Sequence, residues 1–182
     1  MASPWATPEE LRLHLRLATI DAEQAAVKLA EAETVIRGEL EQSIDAVADD
    51  TAVLVGTGRR VLTLPELPVT AVTTVLVDDA ALTLATGYRW NRYGLLTRLD
   101  GCWPLDADIT VVYSHGYTVI PPVIRQVCLQ VAGRAWVRST TAVTAESLGD
   151  RSLTYDKDRS GQALSDYELR ILRPYMRGPA SR

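Results

Sequence analysis

Cysteine is scarce in this chain. Two residues, Cys102 and Cys128, stand among 182, and neither belongs to a CxxC or a Cys/His cluster with zinc spacing. A metal site built on such ligands is therefore not expected. Both read as small apolar side chains in a reducing compartment, and a disulfide between them has little support. Histidine is as rare, with only His14 and His115. No Gly-x-Ser-x-Gly elbow is present, and no second histidine lies near His115 to suggest a hydrolytic triad. No run approaches the ~20 continuous apolar residues of a membrane span. The opening "MASPWATPEELRLHLR" lacks the basic stretch and apolar core of a signal peptide, so a protein that is cytosolic, or assembled in the cytosol, is expected. Positive charge is not in excess either. The formal net charge is −4, which argues against a protein held to nucleic acid by phosphate contacts.

What is present suits one domain, or one domain with a smaller insertion, since 47% of the residues are hydrophobic. A chain of this size buries roughly 70% of its unfolded surface, enough for an unaided core. "TPEELRLHL" predicts a short helix ending near Ala18. Thr7 caps it, Pro8 takes the first helical position, and Glu10 completes a capping box. Asp21 caps a second helix, with Gln24 in the return position. Ala22, Ala25, Leu29, Ala32, Ile36, Leu40, Ile44 and Val47 recur at steps of three and four, which predicts a helix to about Val47. The opposite face carries Glu23, Lys28, Glu31, Glu33, Arg37, Glu39 and Glu41.

At Asp49 the pattern changes. "TAVLVGTGRRVLTL" predicts two short strands around a Gly-Thr-Gly hairpin turn. "PVTAVTTVLVDDAALTL" predicts a strand, a turn at Asp78-Asp79 and another strand. "YRWNRYGLLTRL" and "ADITVVYSHGY" supply two more, and Pro65 and Pro68 bracket a bend. Pro121-Pro122 open a helix, "PVIRQVCLQVAGRAWVRST", whose apolar residues cover much of its circumference, as in a central buried helix. "TTAVTAESLGDRSLTYDKDRSGQ" reads as a long, mobile or partner-dependent loop, with one strand at "RSLTYD". Ser165 and Glu168 form the capping box of a last helix that stops at Pro174. The fold class is α+β: a small bundle of about four helices, one long, with an inserted small antiparallel β unit. The expected division is 1–48 with 119–175 as bundle, 49–118 as β unit, 140–163 as long loop and 176–182 as flexible tail.

Few residues carry chemistry. His115 is the candidate general base, and Asp106 and Asp108 are near enough in sequence to orient it. The more economical reading is a solvated turn histidine, with Gly116 providing the turn. His14 reads as surface or interface. "GTGRR" lacks the Lys-Ser/Thr ending and the following helix of a phosphate-binding loop. Asp45, Asp49, Asp50, Asp78 and Asp79 lie at element ends, where turn chemistry explains them better than a metal. Trp90, Tyr93 and Trp103 interleave with Arg89, Arg92 and Arg98. Such a mixture can stack on bases, but it more often packs an aromatic core with arginines outside. No catalytic, cofactor or metal residue is assigned.

Taken in order, these segments resemble a known family. "LTLPELPVTAVTTVLVDD", "YRWNRYGLL", "ITVVYSHGYTVIPPVIRQVCLQVAGRAW", "ESLGDRSLTYD" and "LSDYELRILRPY" look like the head–tail connector, or head-to-tail adaptor, proteins of long-tailed phages. The resemblance spans most of the chain, and its weight lies in the ordered combination. It implies a non-catalytic virion protein at the head–tail interface, assembled in the host cytoplasm, with no cofactor and no membrane. Copies would form a dodecameric ring under the portal protein, extend the DNA channel without gripping DNA, and dock a tail-side stopper or connector. It implies portal contacts in the C-terminal segment, at Arg170, Arg173, Tyr175, Arg177 and Arg182. It also implies inter-subunit contacts in the loop, at Glu146, Leu148, Asp150, Leu153 and Tyr155. Three alternatives stay open: a nucleic-acid-binding module using the Arg/aromatic β face, marked by steep salt dependence; a small hydrolase centred on His115; and another connector layer, a stopper or tail terminator.

Overall fold

Thr7 starts the first helix, α1 (Pro8–His14), as its sequence predicts. Its side chain accepts from the Glu10 amide, and the Glu10 carboxylate accepts from the Thr7 amide. The computed structural model describes residues 5–141 and 163–176. Among them are four α-helices and seven strands, an α+β architecture. Contacts divide the chain into two compact units, one from residues up to Leu40 together with Ile120–Tyr175, the other over Glu41–Val119.

The helical unit holds α1, α2 (Ala22–Leu40), α3 (Pro122–Thr141) and α4 (Asp166–Leu172), the last extended by a 3₁₀ turn at Arg173–Tyr175. Asp21 caps α2 by accepting from the Glu23 and Gln24 amides, at 3.0 and 3.1 Å. Gln24 returns to the Asp21 carboxylate at 3.2 Å. α1 and α2 both pack on α3, and α4 packs on α3 as well. Leu11, Leu29, Ile36, Leu40, Ile124, Val127 and Val131 are buried in this unit. Gly133 lets α1 come close to α3, since a Cβ there would meet the Leu15 side chain at 3.2 Å.

α2 is shorter than its periodicity predicts. Glu41 takes a left-handed φ of +52°, which ends the helix at Leu40. Ile44 and Val47 continue the apolar spacing by coincidence. The Ile44 carbonyl accepts from the Tyr117 amide at 2.9 Å, and Val47 opens the first strand. Glu33, expected on the solvent face, is buried instead. Its carboxylate accepts the Trp5 amide at 2.7 Å and an Arg37 N–H at 3.0 Å, and the Arg37 guanidinium lies 4.3 Å over the Trp5 ring. The last α-helix does stop before Pro174, at Leu172, and the chain then tightens into the 3₁₀ turn that contains Pro174.

The β unit contains β1 (Val47–Val55), β2 (Val61–Thr63), β3 (Val69–Val77), β4 (Ala80–Ala81), β5 (Tyr88–Trp90), β6 (Leu95–Arg98) and β7 (Asp108–His115). They form two antiparallel sheets, in orders β1-β7-β3-β4 and β2-β6-β5. One apolar cluster, including Val75, Ile109, Val111, Tyr113, Leu64, Leu96 and Trp103, joins them. Asp78 and Asp79 turn β3 into β4 with φ of +46° and +67°, the paired positive values of a type I′ hairpin turn.

Two strand expectations need correction. The hairpin expected at Gly56-Thr57-Gly58 is absent, because β1 and β2 belong to different sheets. The Gly56 amide donates to the Ala107 carbonyl at 2.8 Å, and a Cβ at Gly56 would overlap the Pro104 carbonyl. The glycines thus serve a crossover between sheets. Conversely, "YRWNRYGLLTRL" is not one strand but the β5–β6 hairpin. Asn91 organises its turn by accepting from the Tyr93 and Leu95 amides, and Gly94 adopts φ +73°.

Candidate functional site

The chemistry-bearing residues are best judged by what surrounds them. His115 is not a solvated turn residue. It ends β7 and is only 2% exposed. Residues alternate sides along a strand, so His115 shares the inner face with Tyr113, whose ring centroid is 5.1 Å away. Its Nε2 lies 3.2 Å from the Asp50 carboxylate across the β1–β7 pair. The carboxylate beside it is therefore Asp50, not Asp106 or Asp108. The other aspartates serve turns and strand pairing. Asp49 accepts the Thr73 hydroxyl at 3.0 Å, and Asp78 accepts the Asp108 amide at 3.0 Å. Among the described residues, no group of three or more His, Cys, Asp or Glu side chains is arranged to hold a metal ion. No helix among them is long and apolar enough to cross a membrane.

The cysteines part company. Both are free; Cys102 is exposed and Cys128 buried. Cys102, expected as a small apolar side chain, thus stands at the surface. Burial pushes the Cys128 thiol up to about 12, with the nearby Glu33 charge adding to the shift. His14 is exposed on α1, as expected.

The aromatic and arginine residues of the β unit split in the same way. Trp103 is fully buried, donates its indole N–H to the Leu96 carbonyl at 3.4 Å, and has the Arg98 guanidinium 5.6 Å over its ring. Tyr93 is 70% exposed, with Arg92 beside it. Packing accounts for Trp103 but not for Tyr93.

Of the residues expected to meet other proteins, Arg170 and Arg173 are exposed on α4 and its 3₁₀ extension, and Tyr175 is half-buried. Arg177 and Arg182 lie outside the described residues, as do Glu146, Leu148, Asp150, Leu153, Tyr155 and the strand expected at "RSLTYD". α4 is held to α3 by a specific lock. Arg134 forms a two-pronged pair with the Glu168 carboxylate at 2.7 and 3.0 Å, and donates to the Ala163 carbonyl at 3.1 Å. Ser165 also donates to Glu168 through its amide and hydroxyl, at 2.8 and 2.9 Å. Burial alone would raise the Glu168 pKa. The hydrogen bonds and charge of Arg134, with those of Ser165, outweigh it and hold the carboxyl below its usual range. The lock turns Tyr167 outward, 56% exposed, with Arg170 one turn on and 5.6 Å over its ring. Sequence reasoning missed Tyr167, although the spacing of three from Arg170 places both on one helical face.

No family model matches this sequence, and no curated protein matches it. Solved structures do. A chain from the neck of an empty GTA particle, computed with C6 symmetry, superposes with a TM-score of 0.54 at 19% identity, covering 98% of this chain and 93% of that one. A chain from the virion of a native gene transfer agent (GTA) particle gives 0.57 at 16% identity, over 98% and 93%. One from the neck of the native particle, computed with C12 symmetry, gives 0.53 at 16%, over 98% and 92%. The chain shares their fold along nearly its whole length.

Proposed function

We propose that this chain is a structural subunit of a virion neck, a head-to-tail adaptor whose copies close into a ring beneath the portal. The observation that carries the reading is the fold likeness to neck chains over 98% of the sequence. The ordered motifs of the connector family point the same way. The C12 symmetry of one neck neighbour supports twelve-fold closure. In this reading the protein has no catalytic role. It extends the DNA channel and docks a tail-side stopper or connector, within a virion assembled in the host cytoplasm.

The exposed Tyr167–Arg170–Arg173 face, with Tyr175 and the following Arg177 and Arg182, is the portal-facing element. Arginine and tyrosine suit that role, combining ionic reach with apolar area. The segment bearing Glu146, Leu148, Asp150, Leu153 and Tyr155 reaches the neighbouring subunit. The test is electron microscopy of the protein mixed with its cognate portal, with the protein alone as control. A stacked ring matching the portal's symmetry is expected. Two folded proteins that do not associate would overturn the reading.

A further inference from the structure

The arginines of the β unit gather on one of its two sheets. Residues 41–119 contain five arginines and no lysine. Arg89 and Arg98 lie in the three-stranded sheet, and Arg59, Arg60 and Arg92 flank its strands, as do the acidic Glu66 and Asp100. The strands of the four-stranded sheet contain no Lys or Arg. They carry Asp49, Asp50 and Asp108, with Asp78 and Asp79 at the β3–β4 turn.

The outer face of the three-stranded sheet holds a depression of about 640 Å³. Arg60 and Arg89 line it beside Val61, Leu95, Thr97 and Trp90, and no carboxylate does. Val61 and Leu95 are 41% and 40% exposed there. The Arg60 Nε donates to the Arg98 carbonyl at 3.0 Å, which positions its guanidinium.

The four-stranded sheet offers a complementary pattern. Among the described residues, β1 is its edge and pairs with β7 alone. Ala52 and Leu54 pack against the core, so Val53 and Val55 point outward, 64% and 59% exposed. The register sets Thr110 beside Val53 and the exposed Asp108 beside Val55. The result is an apolar face with an acidic end on an open strand edge, a feature that monomeric proteins usually blunt.

We propose that these two surfaces meet between copies: the β1 face of one subunit seats in the arginine-lined depression of the next. This rests on the ring reading and assigns its β–β contact. Because the two surfaces differ, the contact is heterologous and repeats from copy to copy until it closes. A nucleic-acid backbone would satisfy the arginines but leave Val61, Leu95, Val53 and Val55 exposed, so a second copy accounts for more of the surface.

The test uses the full chain and two charge-reversed variants, Arg60→Glu/Arg89→Glu and Val53→Arg/Asp108→Arg, each examined by electron microscopy on the portal. Each variant alone should lose at least 90% of the rings that the wild type forms. An equimolar mixture should restore them, because the reversed depression fits the reversed strand face. Restoration also rules out misfolding as the cause of the loss. Rings from either variant alone, or none from the mixture, would overturn this inference while leaving the ring reading intact. Intact rings together with lost salt-dependent binding of duplex DNA in Arg60→Glu/Arg89→Glu would assign the depression to nucleic acid instead. A wild-type chain that forms no ring would overturn the adaptor reading itself, and this contact with it.

Discussion

Single residues show how burial decides chemistry. Cys128, surrounded by helices and raised to about 12, is a neutral thiol at physiological pH and a poor nucleophile. Cys102 is exposed on a loop. A thiol-reactive chromophore should therefore label one cysteine rapidly in the native protein and both after denaturation. Rapid native labelling of both would contradict the burial of Cys128. Gly116 makes a sharper case. It has φ +86°, and a Cβ would overlap the Asp45 carbonyl. Gly116→Ala meets both backbone strain and a clash with main chain, so a loss of about 2–4 kcal/mol is expected, measured by chemical denaturation. A change within about 0.5 kcal/mol would show that the chain from β7 into residues 116–121 is not as tightly seated as described. The sequence marks Gly116 as a turn glycine. It does not show which main chain lies against it.

Elements were legible where local chemistry closes on itself. Both capping boxes, at Thr7–Glu10 and Ser165–Glu168, form as the sequence predicts, since each joins residues three apart. The end of α2 was not legible, because Ile44 and Val47 keep a helical spacing while serving the β unit. The Arg134–Glu168 lock was invisible as well, being made across 34 residues. It makes the seating of α4 pH-dependent. The Glu168 pKa is lowered in the folded state, so its contribution is present above the unfolded carboxyl pKa of about 4.3 and is lost as pH falls through the lower folded value. Arg134→Ala leaves the buried carboxylate with Ser165 alone; because Arg134 is itself 41% exposed, the cost is about 1–2 kcal/mol. Thermal denaturation from pH 7 down to pH 3 should show this acid-linked loss in the wild type and a smaller one in Arg134→Ala. Equal pH dependence in both would exclude the lock as its source.

For the whole molecule, the question is which surfaces other proteins meet. α4 presents Tyr167, Arg170 and Arg173 outward, and basic residues continue to Arg182. A chain cut after Tyr175 loses Arg177 and Arg182. Under the proposed function its portal binding should weaken, and more so as salt rises, because exposed charge pairs are screened. Unchanged binding at 0.1 M and 0.3 M salt would remove the tail from the portal contact. The contact between copies is assigned to the β unit, not to this tail.

By itself the sequence determined the helix caps, the Asp78-Asp79 turn, the antiparallel character of the β unit and the buried third helix. Each depends on neighbours in the chain or on a repeat of two or about 3.6 residues, so local spacing is enough to specify it. The tertiary structure alone decided that β1 and β2 part into different sheets and that His115 turns inward beside Asp50. It also decided that Glu33 serves Trp5 and that Arg60 and Arg89 line one depression on the three-stranded sheet. Those outcomes depend on pairings across tens of residues, whose partners no local pattern names.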